Sequence, residues 1–288
     1  VDFGRLITAM VTPFDDQLQI DWSRLEALID YLIEEQESDA LVISGTTGES
    51  PTLTDEEKLK LFEASVRFVR GRCKIIAGTG SNSTQHSVHL TLEAEKLGVD
   101  GVLLVAPYYN RPSQEGIYRH FRTIAESTRL PVMLYNVPHR TGTHIAAETA
   151  LRLSELPNVV ASKEAISDFA QLSRMISGSS ANFKVYSGDD LLTLPSLAIG
   201  CYGIVSVASH VVGKQMKRMI ESYLSGDVQS AAQAHLKLQP IFTGLFCAPS
   251  PAPTKYALNQ RGIQVGGVRL PILDVTEEEG RYIMSLFR

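Results

Sequence analysis

Cysteine is scarce in this sequence, and long apolar runs are missing from it. The three cysteines, Cys73, Cys201 and Cys247, lie far apart and form no C-x-x-C pair. That pattern argues against a disulfide framework or a thiolate zinc site and points to reduced thiols in a cytoplasmic protein. No apolar stretch approaches the ~20 residues of a membrane span, and the run from Leu6 to Val11 is too short and too poorly flanked for a signal peptide. Positive charge is also in deficit. With 27 Lys and Arg against 32 Asp and Glu, the formal net charge of −5 argues against nucleic acid or an anionic membrane as partner. The Tyr108-Tyr109 pair beside Arg111 is therefore not read as a base-stacking platform. The seven histidines form no H-E-x-x-H or H-x-x-x-H set with a third ligand, so no metal site is expected. No G-x-G-x-x-G turn follows an early strand, Asp189-Asp190 has no phosphate-binding loop beside it, and Ser187-Gly188-Asp189 is not a G-x-S-x-G elbow.

What is present is an alternation. Eight short apolar runs rich in β-branched residues read as strands buried on both faces. They are Leu6 to Phe14, Ala40 to Gly45, Lys74 to Gly80, Gly101 to Pro107, Pro131 to Pro138, Val159 to Ala165, Phe183 to Asp190 and Gly203 to His210. Segments with helical spacing separate them. Leu25, Leu28, Ile29 and Leu32 make one stripe between Trp22 and Glu35, behind a candidate cap at Asp21 or Ser23. Thr54-Asp55-Glu56-Glu57 has the form of a capping box, and further helices are expected after Ser83, Ser113, Ala146, Asp168 and Asp190. Eight strands alternating with helices predict an α/β fold, a (β/α)8 TIM barrel over residues 1–225. Helices at Val211 to Leu224, Val228 to Phe246, Pro253 to Gln260 and from Thr276 to the terminus exceed what barrel closure needs. They predict a small C-terminal helical appendage over residues 226–288. No internal repeat or low-complexity linker divides the chain.

In such a barrel the reactive groups come from the C-terminal ends of the strands. Lys163 is the informative residue there. An amine inside an apolar strand is desolvated, which favours its neutral, nucleophilic form, able to condense with a ketone to an iminium. The bland alternative is a lysine that snorkels outward or pairs with Glu164. Gly45-Thr46-Thr47-Gly48 offers backbone N–H groups and two hydroxyls to a small carboxylate, or is an ordinary strand-to-helix turn. Tyr135 is placed to relay protons, or to pack with its hydroxyl satisfied. Arg140 suits a second carboxylate, or a surface ion pair.

Taken in order, GTTGES at Gly45, AGTGSN at Ala77, PYYNRPSQEG at Pro107, LYNVPHRTG at Leu134, KEA at Lys163, SGDD at Ser187 and RLP at Arg269 resemble the dihydrodipicolinate synthase / N-acetylneuraminate lyase family over nearly the whole chain. The resemblance implies Lys163 as the Schiff-base lysine for pyruvate and Tyr135 as proton donor and acceptor, with Thr46 and Tyr109 completing a proton relay. It implies Thr47 at the pyruvate carboxylate, the backbone of Val205 against pyruvate, and Arg140 at the carboxylate of L-aspartate 4-semialdehyde. It implies no metal or organic cofactor, a homotetramer built as a dimer of dimers, and Tyr109 reaching into a neighbouring subunit's site. A lyase of sugar acids or longer 2-keto acids uses the same lysine. GTTGE rather than GSTGE, and Arg140 in an R-T-G context, favour the synthase. Retention of Lys163, Tyr135, Thr46 and Tyr109 argues against a catalytically dead, regulatory barrel.

The sequence departs from the family pattern at Ile166-Ser167, where Ser or Thr then Gly is usual, and at His139, where Gly or Ser is common. By the same resemblance an effector region spans Ser50 to Lys58, Asn82 to His86 and Tyr108. His86 stands there where lysine-sensitive members carry glutamate, and Lys58 where histidine is frequent. Weak or absent inhibition by free L-lysine is the expectation, with Asp55 the one carboxylate able to restore attraction.

Overall fold

Eight short strands and the helices between them close into a cylinder, in a computed structural model that describes residues 2–287. The strands are β1 (Leu6–Ala9), β2 (Ala40–Ile43), β3 (Lys74–Gly78), β4 (Gly101–Val105), β5 (Val132–Asn136), β6 (Val159–Glu164), β7 (Lys184–Ser187) and β8 (Gly203–Ser206). All neighbours pair parallel, and β1 pairs with β8, so no edge is left open. The helices are α1 (Trp22–Glu34), α2 (Asp55–Val69), α3 (Thr84–Lys96), α4 (Gln114–Ser127), α5 (Pro138–Thr141), α6 (Ala147–Ser154), α7 (Phe169–Gly178), α8 (Thr193–Ala198), α9 (Ser209–Leu224), α10 (Val228–Gly244), α11 (Ala252–Gln260) and α12 (Glu277–Ser285).

Strand residues alternate between two cores, because successive side chains leave opposite faces. Ile7, Val42, Ile76, Leu103, Met133, Tyr135, Ala161, Tyr186 and Val205 fill the lumen. Leu6, Leu41, Ile75, Leu104, Leu134, Val185 and Ile204 face the helical layer. The pairing of β5 with β6 carries one irregularity. Val132 pairs with Val159 but Met133 pairs with Ala161, so Val160 is an extra residue on β6. Beyond it Tyr135 lies opposite Lys163, and Asn136 opposite Glu164.

The caps are those the sequence proposes. Asp21 accepts from the N–H groups of Ser23 and Arg24, Thr54 and Glu57 form the reciprocal capping box of α2, and Ser83, Ser113 and Asp168 cap α3, α4 and α7. All eight apolar runs extend past the strands they mark, most widely at β1 and β8. The first apolar run reached Phe14, yet β1 stops at Ala9; Phe14 is fully buried and makes only an isolated bridge to Ile20. Apolarity there reflects burial without strand pairing. The run ending at His210 holds β8 only to Ser206, because the Asp190 carboxylate takes the N–H groups of Val207 and Ala208 at 3.1 and 2.8 Å. α9 opens with a turn at Ser209 that is broken at Val212, at φ −136° and ψ 25°, before the helix runs on to Leu224. The four-residue α5 was not foreseen, being too short for a periodic signal. Beyond α9, α10 packs along α9 and α11 pairs with α12. No described helix is long and apolar enough to cross a membrane.

Candidate active site

A cavity of about 470 Å³ opens at the C-terminal ends of β2 to β5. Thr46 from the turn after β2, Tyr135 from the end of β5 and Arg140 from α5 all line it. Lys163 sits in the lumen beside them, 5 % exposed, with Nζ 4.1 Å from the centroid of the Tyr135 ring. That ring face is its counterpart in place of an anion. The alternative of a Lys163–Glu164 pair does not occur. Strand alternation sends Glu164 through the barrel wall, where its carboxylate accepts from Ser162 Oγ at 2.5 Å and from Asn136 Nδ2 at 2.8 Å. Gly188 keeps the space beside the amine open: a Cβ there would come within 3.1 Å of Lys163 Cε and of Ala165 Cβ.

Thr47 and Val205 are buried close to the lumen mouth, and Val205 lies opposite Ile7 in the β8–β1 pairing. The Gly45–Gly48 turn is partly self-satisfied. The N–H groups of Gly48 and Ser50 donate to Gly45 O and that of Glu49 to Thr46 O, at 3.1, 3.3 and 3.1 Å. The backbone donors of Gly45, Thr46 and Thr47 remain for an incoming carboxylate, that of Gly48 being used within the turn. Arg140 is exposed at the rim and pairs with no carboxylate among the described residues, held on α5 between Pro138 and a left-handed Gly142 at φ 68°. His139, its exposed neighbour, is held below the usual imidazole range by burial and by the Arg140 charge.

The structure does not bring Tyr109 into the cavity of its own chain. Its side chain is 90 % exposed on a residue with φ 74°, while Tyr108 lines the cavity instead. A Thr46–Tyr135–Tyr109 relay is therefore not assembled within one chain.

The cavity extends sideways onto a shelf that includes Ser50, Lys58, Asn82 and His86. Asp55 joins the two basic groups there: its carboxylate meets His86 Nε2 at 2.7 Å and lies 3.9 Å from Lys58 Nζ. Burial pushes the Lys58 ammonium below the usual lysine range, and Asp55 opposes that shift.

A second buried lysine escaped the sequence reading. Lys255 of α11 forms an ion pair with Glu49 at 2.7 Å, both side chains 1 % exposed. Lys255 also donates to Gly267 O at 2.7 Å and lies 4.1 Å above the Phe14 ring. Burial lowers its pKa to about 8 although Glu49 opposes this. The other oxygen of Glu49 accepts the Arg269 N–H at 2.8 Å, and the Arg269 guanidinium reaches Leu18 O, Thr52 O and Glu57. Glu49, at φ 59°, is thereby clamped to the C-terminal segment, and with it the turn that carries Thr46 and Thr47. The available signal was a lysine inside the apolar stretch Ala252 to Leu258. Among the described residues no group of His, Cys, Asp and Glu is arranged to hold a metal ion.

A model of the dihydrodipicolinate synthetase family matches residues 2–287. The chain belongs to that family. It is 55 % identical over 286 residues to the 4-hydroxy-tetrahydrodipicolinate synthase of Bacillus velezensis, covering 99 % of each chain. It is 54 % identical over 280 residues to that of Bacillus subtilis, covering 97 % of this chain and 96 % of the other. Among solved structures, the dihydrodipicolinate synthase of Bacillus anthracis superposes with a TM-score of 0.98 at 52 % identity, covering 99 % and 98 % of the two chains. The enzyme from Cyanidioschyzon merolae, solved with lysine bound, gives 0.97 at 45 % identity, covering 99 % and 97 %.

In this family member Glu164 supplies a measurable signature. Burial without a cation pushes its carboxyl from the ordinary 4.5 to about 7, against the bonds from Ser162 and Asn136. The folded state thus binds a proton more tightly than the unfolded one. The stability this gives is fully present below 4.5 and is lost as pH rises through 7. Glu164→Gln is expected to remove that fall, worth a few kcal/mol in the parent. Denaturant unfolding at about pH 5 and about pH 8 measures it, through the difference between parent and variant.

Proposed function

We propose that the chain catalyses the reaction of a 4-hydroxy-tetrahydrodipicolinate synthase, a lyase of lysine and diaminopimelate biosynthesis. The observation that carries this reading is the buried Lys163 amine, lodged over the Tyr135 ring in the lumen with no anionic partner among the described residues. In this reading the neutral amine adds to the keto carbon of pyruvate and water leaves, giving an iminium. Loss of a methyl proton converts it to an enamine, whose carbon bonds to the aldehyde carbon of L-aspartate 4-semialdehyde while the aldehyde oxygen takes a proton. The amino group of the second substrate then displaces Lys163 from the iminium carbon, which closes the ring and frees the enzyme. Tyr135 moves the protons, with Thr46 and Tyr109 as its relay. Thr47 holds the pyruvate carboxylate, and the Val205 backbone borders the ketone. Arg140, unpaired at the rim, receives the carboxylate of the semialdehyde and supports that acceptor over a sugar acid.

The exposed Tyr109 supports a site shared between subunits. We place it in the neighbouring chain's cavity, within a dimer that pairs again into a homotetramer of cytoplasmic location. Residues 1–225 are taken as the barrel and 226–288 as its helical appendage.

Three outcomes test the reading. Borohydride with pyruvate inactivates the enzyme and adds the reduced adduct to the Lys163 peptide in mass analysis, and Lys163→Ala takes up none. Label on another lysine rejects the assignment.

Mixing the two inactive chains Lys163→Ala and Tyr109→Phe under subunit exchange restores part of the activity, since one hybrid site keeps both residues. No recovery despite demonstrated hybrids places Tyr109 in its own chain's site.

Free L-lysine inhibits weakly or not at all at pH 8 and saturating pyruvate. The shelf's Asp55 carboxylate is already engaged by His86 and Lys58. A diamino acid there loses an attraction and meets a cation, on the order of a hundredfold in affinity. A titration beside the double variant His86→Glu, Lys58→His measures this, and submillimolar inhibition of the parent would show the charge argument to be wrong.

A further inference from the structure

Glu164 is a carboxyl buried behind the barrel wall, 1 % exposed, with no Lys, Arg or His in ion-pair distance among the described residues. A buried carboxyl of this kind is unfavourable unless its hydrogen bonds are satisfied, and Ser162 and Asn136 satisfy it. Its position explains what those bonds join. Asn136 and Glu164 are the last residues of β5 and β6 and lie directly opposite one another, one step beyond the Tyr135–Lys163 pair and on the other face. The parallel ladder finishes here, with Ala165 N donating to Asn136 O at 2.9 Å and Gly188 N to Glu164 O at 2.8 Å.

Asn136 also reaches forward. Its Oδ1 accepts the N–H of Ile145 at 3.0 Å, which fixes the end of the loop that returns from Arg140. Gln171 of α7 steadies the same loop, donating to Ile145 O at 3.1 Å and bonding His144 Nε2 at 2.8 Å. One amide and one carboxyl therefore tie together the strand ends that carry Lys163 and Tyr135 and the loop behind Arg140. Neither lines the cavity.

We propose that Glu164 and Asn136 are a positioning pair that holds Lys163, Tyr135 and the Arg140 loop in reacting geometry from outside the barrel. The proposal rests on the Schiff-base reading of Lys163. Their partners show why a carboxyl stands at 164: it faces two donors at once, a hydroxyl and an amide, and accepts from both. Glutamine offers one oxygen to the amide and lets the Ser162 hydroxyl accept instead. It is the conservative replacement, and leucine removes both bonds at similar volume.

The experiment compares the parent, Asn136→Leu, Glu164→Leu, Glu164→Gln and Ser162→Ala as full chains, at a temperature well below every melting midpoint. The parent is first trapped with pyruvate and borohydride. Absence of its Lys163 adduct defeats the underlying reading and is recognised before any variant is compared. With that adduct in hand, the two leucine variants still label Lys163 but lose kcat by roughly 100-fold, the size of effect expected for ångström-scale misplacement. KM for pyruvate stays within about threefold, because the residues that bind it are untouched. Glu164→Gln recovers most of the kcat lost in Glu164→Leu. Ser162→Ala, the mildest change, loses about threefold to tenfold and decides the matter if the leucine variants do not fold. Parent kcat in folded leucine variants overturns the proposal. So does parent kcat in Ser162→Ala when those variants are unfolded, or a loss carried by KM alone.

Discussion

Alternation along β6 is the constraint on which the site depends. Lys163 and Glu164 are neighbours in the chain, and in water their opposite charges would attract. The pleat of a closed sheet separates them by the thickness of the wall, one into the lumen and one toward the helices. The extra residue Val160 sets the phase of that alternation against β5. Were Val160 paired with Met133 instead of being left out of the ladder, Tyr135 would face Ser162, and Lys163 would lie opposite Asn136. Bulges of this kind re-aim side chains beside functional sites, and here a single inserted residue brings amine and phenol ring together at 4.1 Å.

The apolar runs of the sequence marked all eight strands because every strand is buried on both faces. The helix starts were visible for a local reason: Asp21, Thr54, Ser83, Ser113 and Asp168 make their capping bonds within three residues. Lys163, Tyr135, Thr46 and Arg140 stood out as polar residues at strand ends; the fold gathers the last three around one cavity and sets Lys163 against the Tyr135 ring. Features that were not legible depend on distance along the chain or on burial. The Glu49–Lys255 pair joins residues with no local relation, and neither side chain announces that it is buried. The orientation of Glu164 could not be fixed without the phase of β6. Tyr109 is a different case, since a single chain leaves its side chain in solvent.

The shelf beside the cavity shows how contacts within one chain occupy a charged group that a ligand could otherwise use. Its floor and walls continue those of the reaction cavity. Asp55 is the carboxylate beside it, already in contact with two basic side chains of the same chain. A cation that sought this carboxylate would have to displace an existing contact.

The clamp of Lys255 and Arg269 on Glu49 also has a meaning in time. Translation proceeds from the N-terminal side, so the turn with Thr46 emerges from the ribosome long before the Lys255 ammonium and the Arg269 backbone N–H that hold Glu49. The left-handed Glu49 of the folded turn, at φ 59°, takes its buried counter-ion from a residue made some two hundred positions later. All eight strands have been synthesised by residue 206, yet the first reactive turn is locked only after residue 269 has followed. The bonds that finish that turn thus come from chain made after every strand of the cylinder.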